Sequence, residues 1–217
     1  MKEAADAILR AEQAAYLEAL EPARDALLEE MEAYAREHGE PISDPEVASL
    51  LAVAARSAGA KRLVEVGTNI GYGAIVLARA AGPEARVVTI ERDPEMCRVA
   101  EGFVARAGLT GRVEVRCADA LEALDALEGP IDLVYLDCVK EDYPAYLDRV
   151  VPKLSERGVL LADNVLWKGL VAAADVPPGE RARVEALRAF NRQVVSDPRL
   201  RGVILPLGDG VAYAARR

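Results

Sequence analysis

The chain has 217 residues, 52% of them hydrophobic, and a formal net charge of −9, which predicts one domain with a helical extension and a large core. It contains no run of about 18 uncharged apolar residues, which excludes a membrane-spanning helix, and the acidic start Met1-Lys2-Glu3-Ala4-Ala5-Asp6 lacks the basic and apolar regions of a secretory leader, so the cytoplasm is the expected location. A single histidine, His38, and three separated cysteines, Cys97, Cys117 and Cys138, exclude a His-rich zinc site and a disulfide framework; any metal would be a hard cation held by oxygens, such as magnesium or calcium.

Residues 2–38 predict one or two helices, broken near Pro22, from Ala, Leu, Glu and Arg with apolar Ala14, Leu17 and Leu20 at helical spacing. Residues 1–50 carry 4 Lys/Arg against 13 Asp/Glu, while the other 167 carry 23 of each, so the whole acidic excess lies here and reads as a solvated face. Gly39-Glu40-Pro41 ends this region. Asp44-Pro45 then predicts a cap and first turn for a helix reaching about Ser57, with Gly59 as its stop. Strands and helices alternate from there: strand 62–66, helix 71–81, strand 86–91, a helix capped at Asp93-Pro94 and ending near Gly108, strand 112–117, a short helix from Asp119, strand 131–136, helix 144–153, strand 158–162 and helix 179–196. Strands 200–206 and 211–215 flank Gly208-Asp209-Gly210 and predict an antiparallel edge hairpin. Val87-Val88-Thr89-Ile90 and Leu133-Val134-Tyr135-Leu136 are almost continuously apolar, as in a parallel sheet covered on both faces. The pattern predicts a doubly wound α/β fold, in which ligands bind at the carboxyl ends of strands.

The first strand runs into Gly67-Thr68-Asn69-Ile70-Gly71-Tyr72-Gly73. Glycines there let the backbone approach a ligand, yet the spacing is not the dinucleotide fingerprint and no P-loop lysine follows, so a pyrophosphate cradle is not expected. Glu91, ending the second strand, can accept the hydroxyls of a ribose, and Glu65 can accept from an ammonium group. Together they suit a cationic, ribose-bearing ligand without phosphates, a description that S-adenosylmethionine meets; an ordinary α/β turn with an exposed acid is the competing reading. The fourth strand ends Asp137-Cys138-Val139-Lys140 and the fifth Asp163-Asn164. On neighbouring strands, Asp137, Asp163 and Asn164 would offer three oxygens to magnesium, and Lys140 beside a cation would be a candidate general base. A plain loop start and a solvated lysine is the alternative.

With these stretches in hand, the sequence resembles the class I, cation-dependent O-methyltransferases of the catechol and caffeoyl-CoA type, over roughly residues 38–217. The resemblance rests on Leu63-Val64-Glu65-Val66-Gly67-Thr68 with Gly71-Tyr72, Thr89-Ile90-Glu91, Ala118-Asp119-Ala120, Leu136-Asp137 with Lys140 and Tyr143, and Asp163-Asn164-Val165-Leu166-Trp167. It implies cofactor contacts at Ile42, Glu65, Gly67, Thr68, Tyr72, Gly73, Glu91, Asp119, Ala120 and Asp137, a divalent cation such as Mg2+ at Asp137, Asp163 and Asn164, and Lys140 as base. It also implies a seven-stranded sheet with a reversed last strand, residues 1–40 as an N-terminal extension to a methyltransferase domain at 41–217, and a homodimer. Many members carry serine at the position of Gly73, and many read Asp-Ala-Asp-Lys where this chain has Asp137-Cys138-Val139-Lys140.

The expected acceptor is a hydroxylated aromatic small molecule, with Tyr143 and Trp167 as candidate walls and His38 as a structural cap. The stretches Asn164–Ala172 and Pro206–Gly210 also resemble the bacterial subgroup that methylates 5-hydroxyuridine in tRNA. Residues 181–201 carry six arginines against Glu185 and Asp197, a net of +4 that phosphates could meet. An NAD-dependent dehydrogenase and a non-catalytic cofactor-binding protein are the remaining, less favoured functions.

Overall fold

The computed structural model describes residues 11–20 and 25–217. Pro22, where a break was expected, and the first ten residues lie outside the described residues. Helix α1 (Ala11–Ala19) leaves Tyr16 and Leu17 exposed, as is Leu20 just after it, and α2 (Ala26–His38) follows. The Asp25 side chain caps α2 by accepting from Leu27 and Leu28 N–H, and Gly39, at φ 72°, ends it. The succeeding elements are α3 (Pro45–Ala58), β1 (Arg62–Val66), α4 (Tyr72–Ala81), β2 (Arg86–Glu91), α5 (Pro94–Arg106), β3 (Val113–Cys117), α6 (Ala120–Ala126), β4 (Ile131–Leu136), α7 (Tyr143–Val150), β5 (Leu154–Ala162), α8 (Arg181–Ser196), β6 (Leu200–Leu205) and β7 (Val211–Arg216).

The seven strands form one sheet in the order β3-β2-β1-β4-β5-β7-β6, all parallel except β7, which runs against both β5 and β6. The terminal hairpin is therefore at the edge as expected. Alternating side chains explain the continuously apolar runs. Leu63, Leu133, Tyr135 and Leu161 enter one core with α2, α3, α4 and α5, whereas Val64, Val134, Leu136 and Leu160 enter the other with α6, α7 and α8. Burying each such aliphatic side chain is worth roughly 2 kcal/mol. By that measure fully buried Met31 anchors α2 to the domain more than its ion pairs, Arg106–Glu30 and Arg79–Asp25, which are solvent-exposed and screened.

Two boundaries differ from expectation. β5 begins at Leu154, not near Gly158, because its first residues, Ser155, Glu156 and Arg157, are polar and lie at an irregular register against β4. The helix expected over 144–153 ends at Val150 and tightens into a 3-10 turn at Val151–Lys153, where Pro152 has no N–H to continue the α-helical ladder.

The chain order reverses between β1 and β4, and doubly wound sheets open a crevice at such a switch point. Register brings the tips level: Val66 pairs with Leu136 and Leu136 with Ala162. The ladder continues one residue further, Asp137 N–H donating to Val66 O and Asp163 N–H to Leu136 O, both at 2.9 Å. Gly67, Asp137 and Asp163 are thereby set side by side. Among the described residues, no helix is long and apolar enough to cross a membrane.

Candidate active site

The loop after β1 is pressed against β4. Gly67 has φ 98°, and a Cβ there would lie 2.0 Å from Asp137 O, so only glycine fits. Behind the loop, Thr89 Oγ1 donates to Glu65 Oε2 at 2.6 Å, and Thr68 Oγ1 lies 2.5 Å from Thr89 Oγ1. Since the Thr89 proton is committed to Glu65, Thr68 donates to Thr89. Glu65 is only 1% exposed. Burial foremost, with Asp137 and Glu91 adding repulsion, pushes its carboxyl up to about 8 against the opposing hydrogen bonds from Thr89 and the Ala74 backbone. A Cβ on Gly73 would lie 2.1 Å from Glu65 Oε1, which accounts for the glycine at this position.

Glu91 is fixed by backbone donors: Oε1 accepts from Arg92 and Asp93 N–H at 2.9 and 3.0 Å, and Oε2 from Asn69 N–H at 2.9 Å. A carboxylate offers about four lone-pair positions. The remaining one is on Oε2, so the acid presents one firm acceptor to a diol instead of the expected two. Asn69 Nδ2 donates to Pro41 O at 2.8 Å, tying the segment that carries Ile42 to the loop, and Asn69 Oδ1 is buried without a hydrogen-bond partner among the described residues. Asp119 caps α6 with Oδ1, accepting from Leu121 and Glu122 N–H; Oδ2 takes no part in the cap, and Ala120 opens the helix. Tyr72 is buried, and its hydroxyl donates to Glu32 Oε1 of α2 at 2.9 Å.

The expected acidic group is assembled at the tips of β4 and β5. Tyr135 Oη lies 3.4 Å from Asp137 Oδ2 and 3.4 Å from Asp163 Oδ2. Lys140, buried on a 3-10 turn, donates to Asp137 Oδ1 at 2.9 Å and to Tyr143 Oη at 2.9 Å. Asn164 follows in a left-handed conformation, φ 55°, with its N–H donating to Asp163 Oδ1 at 2.7 Å. Burial first and the Asp137 charge second push the Asp163 carboxyl up to about 7, with Lys140 opposing. Among the described residues no three His, Cys, Asp or Glu side chains cluster closely enough to hold an ion. The donor set is two carboxylates and one amide. Two crowded carboxylates share a single cationic neighbour among the described residues, Lys140, and an oxygen-only set of this kind fits a hard dication.

The two candidate walls separate. Tyr143 is fully buried, edge-to-face with Phe190 at 5.1 Å, with its hydroxyl donating toward Leu136 O and Asp163 O; it is a strut behind the carboxylates and not a wall. Trp167 is half-buried. Its Nε1 donates to Glu180 Oε2 at 2.7 Å, and the Arg183 guanidinium sits 4.5 Å from its ring centroid while pairing with Glu180 and Glu141. The other arginines of this region are largely engaged. Arg188 donates to Val171 O and Ala173 O, Arg181 to Val176 O, and Arg199 pairs with Asp197. His38 stacks on Tyr34 at 3.9 Å and bonds its carbonyl, a cap on α2.

Thr89, Tyr135 and Ser43, whose hydroxyl lies 2.9 Å from Tyr135 Oη, belong to the site but were not singled out from sequence. A polar atom on a strand residue two positions before Asp137, hence on the same face, was the available signal for Tyr135.

The chain matches the O-methyltransferase family profile over residues 21–217. The catechol O-methyltransferase of Niastella koreensis is 34% identical over 201 residues, covering 88% of this chain and 89% of that protein. Catechol O-methyltransferase domain-containing protein 1 of Mus musculus is 34% identical over 181 residues, 81% of this chain and 68% of that one. Among solved structures, the O-methyltransferase TomG of Streptomyces achromogenes in complex with S-adenosylmethionine superposes with a TM-score of 0.84 at 29% identity, covering 94% of this chain and 96% of that one. An O-methyltransferase from Bacillus cereus in complex with S-adenosylhomocysteine gives 0.82 at 28% identity, with the same coverage.

Proposed function

The chain belongs to the O-methyltransferase family, and from that premise we propose that it moves a methyl group from S-adenosylmethionine to a hydroxyl of a catechol-like small molecule, with a divalent cation at Asp137, Asp163 and Asn164. The observation that carries this reading is the convergence of the Asp137 and Asp163 carboxylates on one hydroxyl, next to Lys140 and at the mouth of the Gly67 loop.

The cofactor supplies an electrophilic methyl group. A hard dication lowers the pKa of a hydroxyl it binds and orients it. The chain's own residues do the rest. Glu91 Oε2 holds a ribose hydroxyl, and Asp119 Oδ2 is available to an adenine amino group. The unpartnered Asn69 Oδ1 beside Glu91 supports a ligand donor there. Thr68 and Glu65 form the floor beneath the cofactor's cationic end. Lys140 Nζ, held between Asp137 and Tyr143, is the group placed to exchange a proton with the acceptor hydroxyl. Trp167, steadied by Glu180 and Arg183, offers its indole to a planar acceptor. Holding reactants in line and neutralising charge would supply most of the acceleration.

Similarity to catechol O-methyltransferases and the intramolecular pairing of Arg181, Arg183, Arg188 and Arg199 both support a small acceptor over tRNA. The test is transfer of labelled methyl, with magnesium, to a catechol panel and to bulk tRNA. Labelled catechol supports the reading; transfer to tRNA alone would replace the acceptor. The homodimer implied by the family resemblance is a matter for light scattering.

A further inference from the structure

Tyr135 sits in the apolar run of β4, and its ring is fully buried in the core shared with α3 and α4. A phenylalanine would fill that space equally well, yet the hydroxyl stands at a polar junction between the sheet and the segment before α3: 2.9 Å from Ser43 Oγ, 3.4 Å from Asp137 Oδ2 and 3.4 Å from Asp163 Oδ2. The single phenol proton is placed to be donated to the acidic pair, which leaves the Ser43 hydroxyl to donate to the Tyr135 oxygen. The hydroxyl is equidistant from the two carboxylates, at 3.4 Å from each. Ser43 itself is buried, immediately before α3, on the same segment whose Pro41 carbonyl accepts from Asn69.

We propose that Tyr135 is a positioning residue for the divalent cation: its hydroxyl, oriented by Ser43, sets the spacing and rotamers at which Asp137 and Asp163 present their oxygens to one ion. The inference rests on the cation reading above. Groups that hold metal ligands in place from behind typically change metal affinity about 10–100-fold when removed. Without the hydroxyl, the two like-charged side chains have no common donor and swing apart.

The experiment compares wild type, Tyr135→Phe and Ser43→Ala for Mn2+ binding, read by calorimetry and by the paramagnetic signal of the bound ion, and for S-adenosylhomocysteine binding. Tyr135→Phe is expected to weaken Mn2+ by about 10–100-fold while leaving S-adenosylhomocysteine affinity unchanged. Ser43→Ala should shift Mn2+ affinity in the same direction by less. A merely structural role would weaken both ligands together, and that result overturns the proposal. So does a Tyr135→Phe protein that binds Mn2+ as wild type does. If Tyr135→Phe does not fold, unchanged Mn2+ affinity in Ser43→Ala overturns it. No saturable Mn2+ binding by wild type would instead sink the cation reading itself, and this inference with it.

Discussion

The Gly73 Cα leaves no room for a side chain beside Glu65: a Cβ would come within 2.1 Å of Glu65 Oε1. Glycine at the first turn of α4 and the inward carboxylate of β1 are thus one packing solution. Gly73→Ser should turn Glu65 away from Thr89, losing a buried hydrogen bond whose disruption costs about 1–3 kcal/mol. The expected outcome is a lower melting temperature together with weaker S-adenosylhomocysteine binding, measured by thermal unfolding with and without the ligand.

Glu65 also gives the site a pH dependence. Its carboxyl is raised from 4.5 to about 8, so between those values the folded, ligand-free protein holds a proton that the unfolded chain has released. Stability from this group is fully present below 4.5 and is lost as pH rises through 8. Glu65→Gln keeps the neutral form at all pH, so its melting temperature relative to wild type should rise between pH 5 and pH 9. An ammonium group bound nearby favours the ionised acid, so cofactor binding at pH 7 should release a proton, detected by calorimetry in buffers of different ionisation enthalpy. Glu65→Gln should abolish that release.

Lys140 is an intramolecular rival for the cation. It is buried and its Nζ pairs with Asp137 Oδ1, so Lys140→Met leaves Asp137 beside Asp163 without a positive partner. Breaking one side of such a pair costs on the order of 3 kcal/mol, and a dication should restore that loss. The variant is therefore expected to melt lower than wild type without metal, to gain more on adding Mg2+, and to lose about 10²–10⁴-fold in kcat. An equal gain from Mg2+ in both proteins would contradict this.

Trp167 is the aromatic side chain left for the acceptor once Tyr143 is committed to the core. Trp167→Ala should raise KM for a catechol with little change in KM for S-adenosylmethionine. A parallel rise in both would mean that the ring supports the fold only.

The strand tips were legible because β1, β2 and β4 are buried on both faces, which leaves apolar runs that stop where the chemistry begins, at Gly67, Glu91 and Asp137. The early start of β5 was not, since Ser155-Glu156-Arg157 lie in a register irregularity against β4 and their side chains give no apolar signal. Tyr135 and Thr89 were hidden for the opposite reason: inside such runs a hydroxyl looks like packing until the register shows what it faces. Tyr143 misled because an aromatic near a lysine suits a ligand wall and a strut alike; its full burial, its contact with Phe190 and its hydroxyl bonds separate them.

The most direct test is methyl transfer from labelled S-adenosylmethionine to catechol in Mg2+ and in excess EDTA. Transfer that disappears with EDTA and returns when Mg2+ is restored is the predicted result, with Asp163→Ala inactive in both. Undiminished transfer in EDTA would contradict a cation at the tips of β4 and β5.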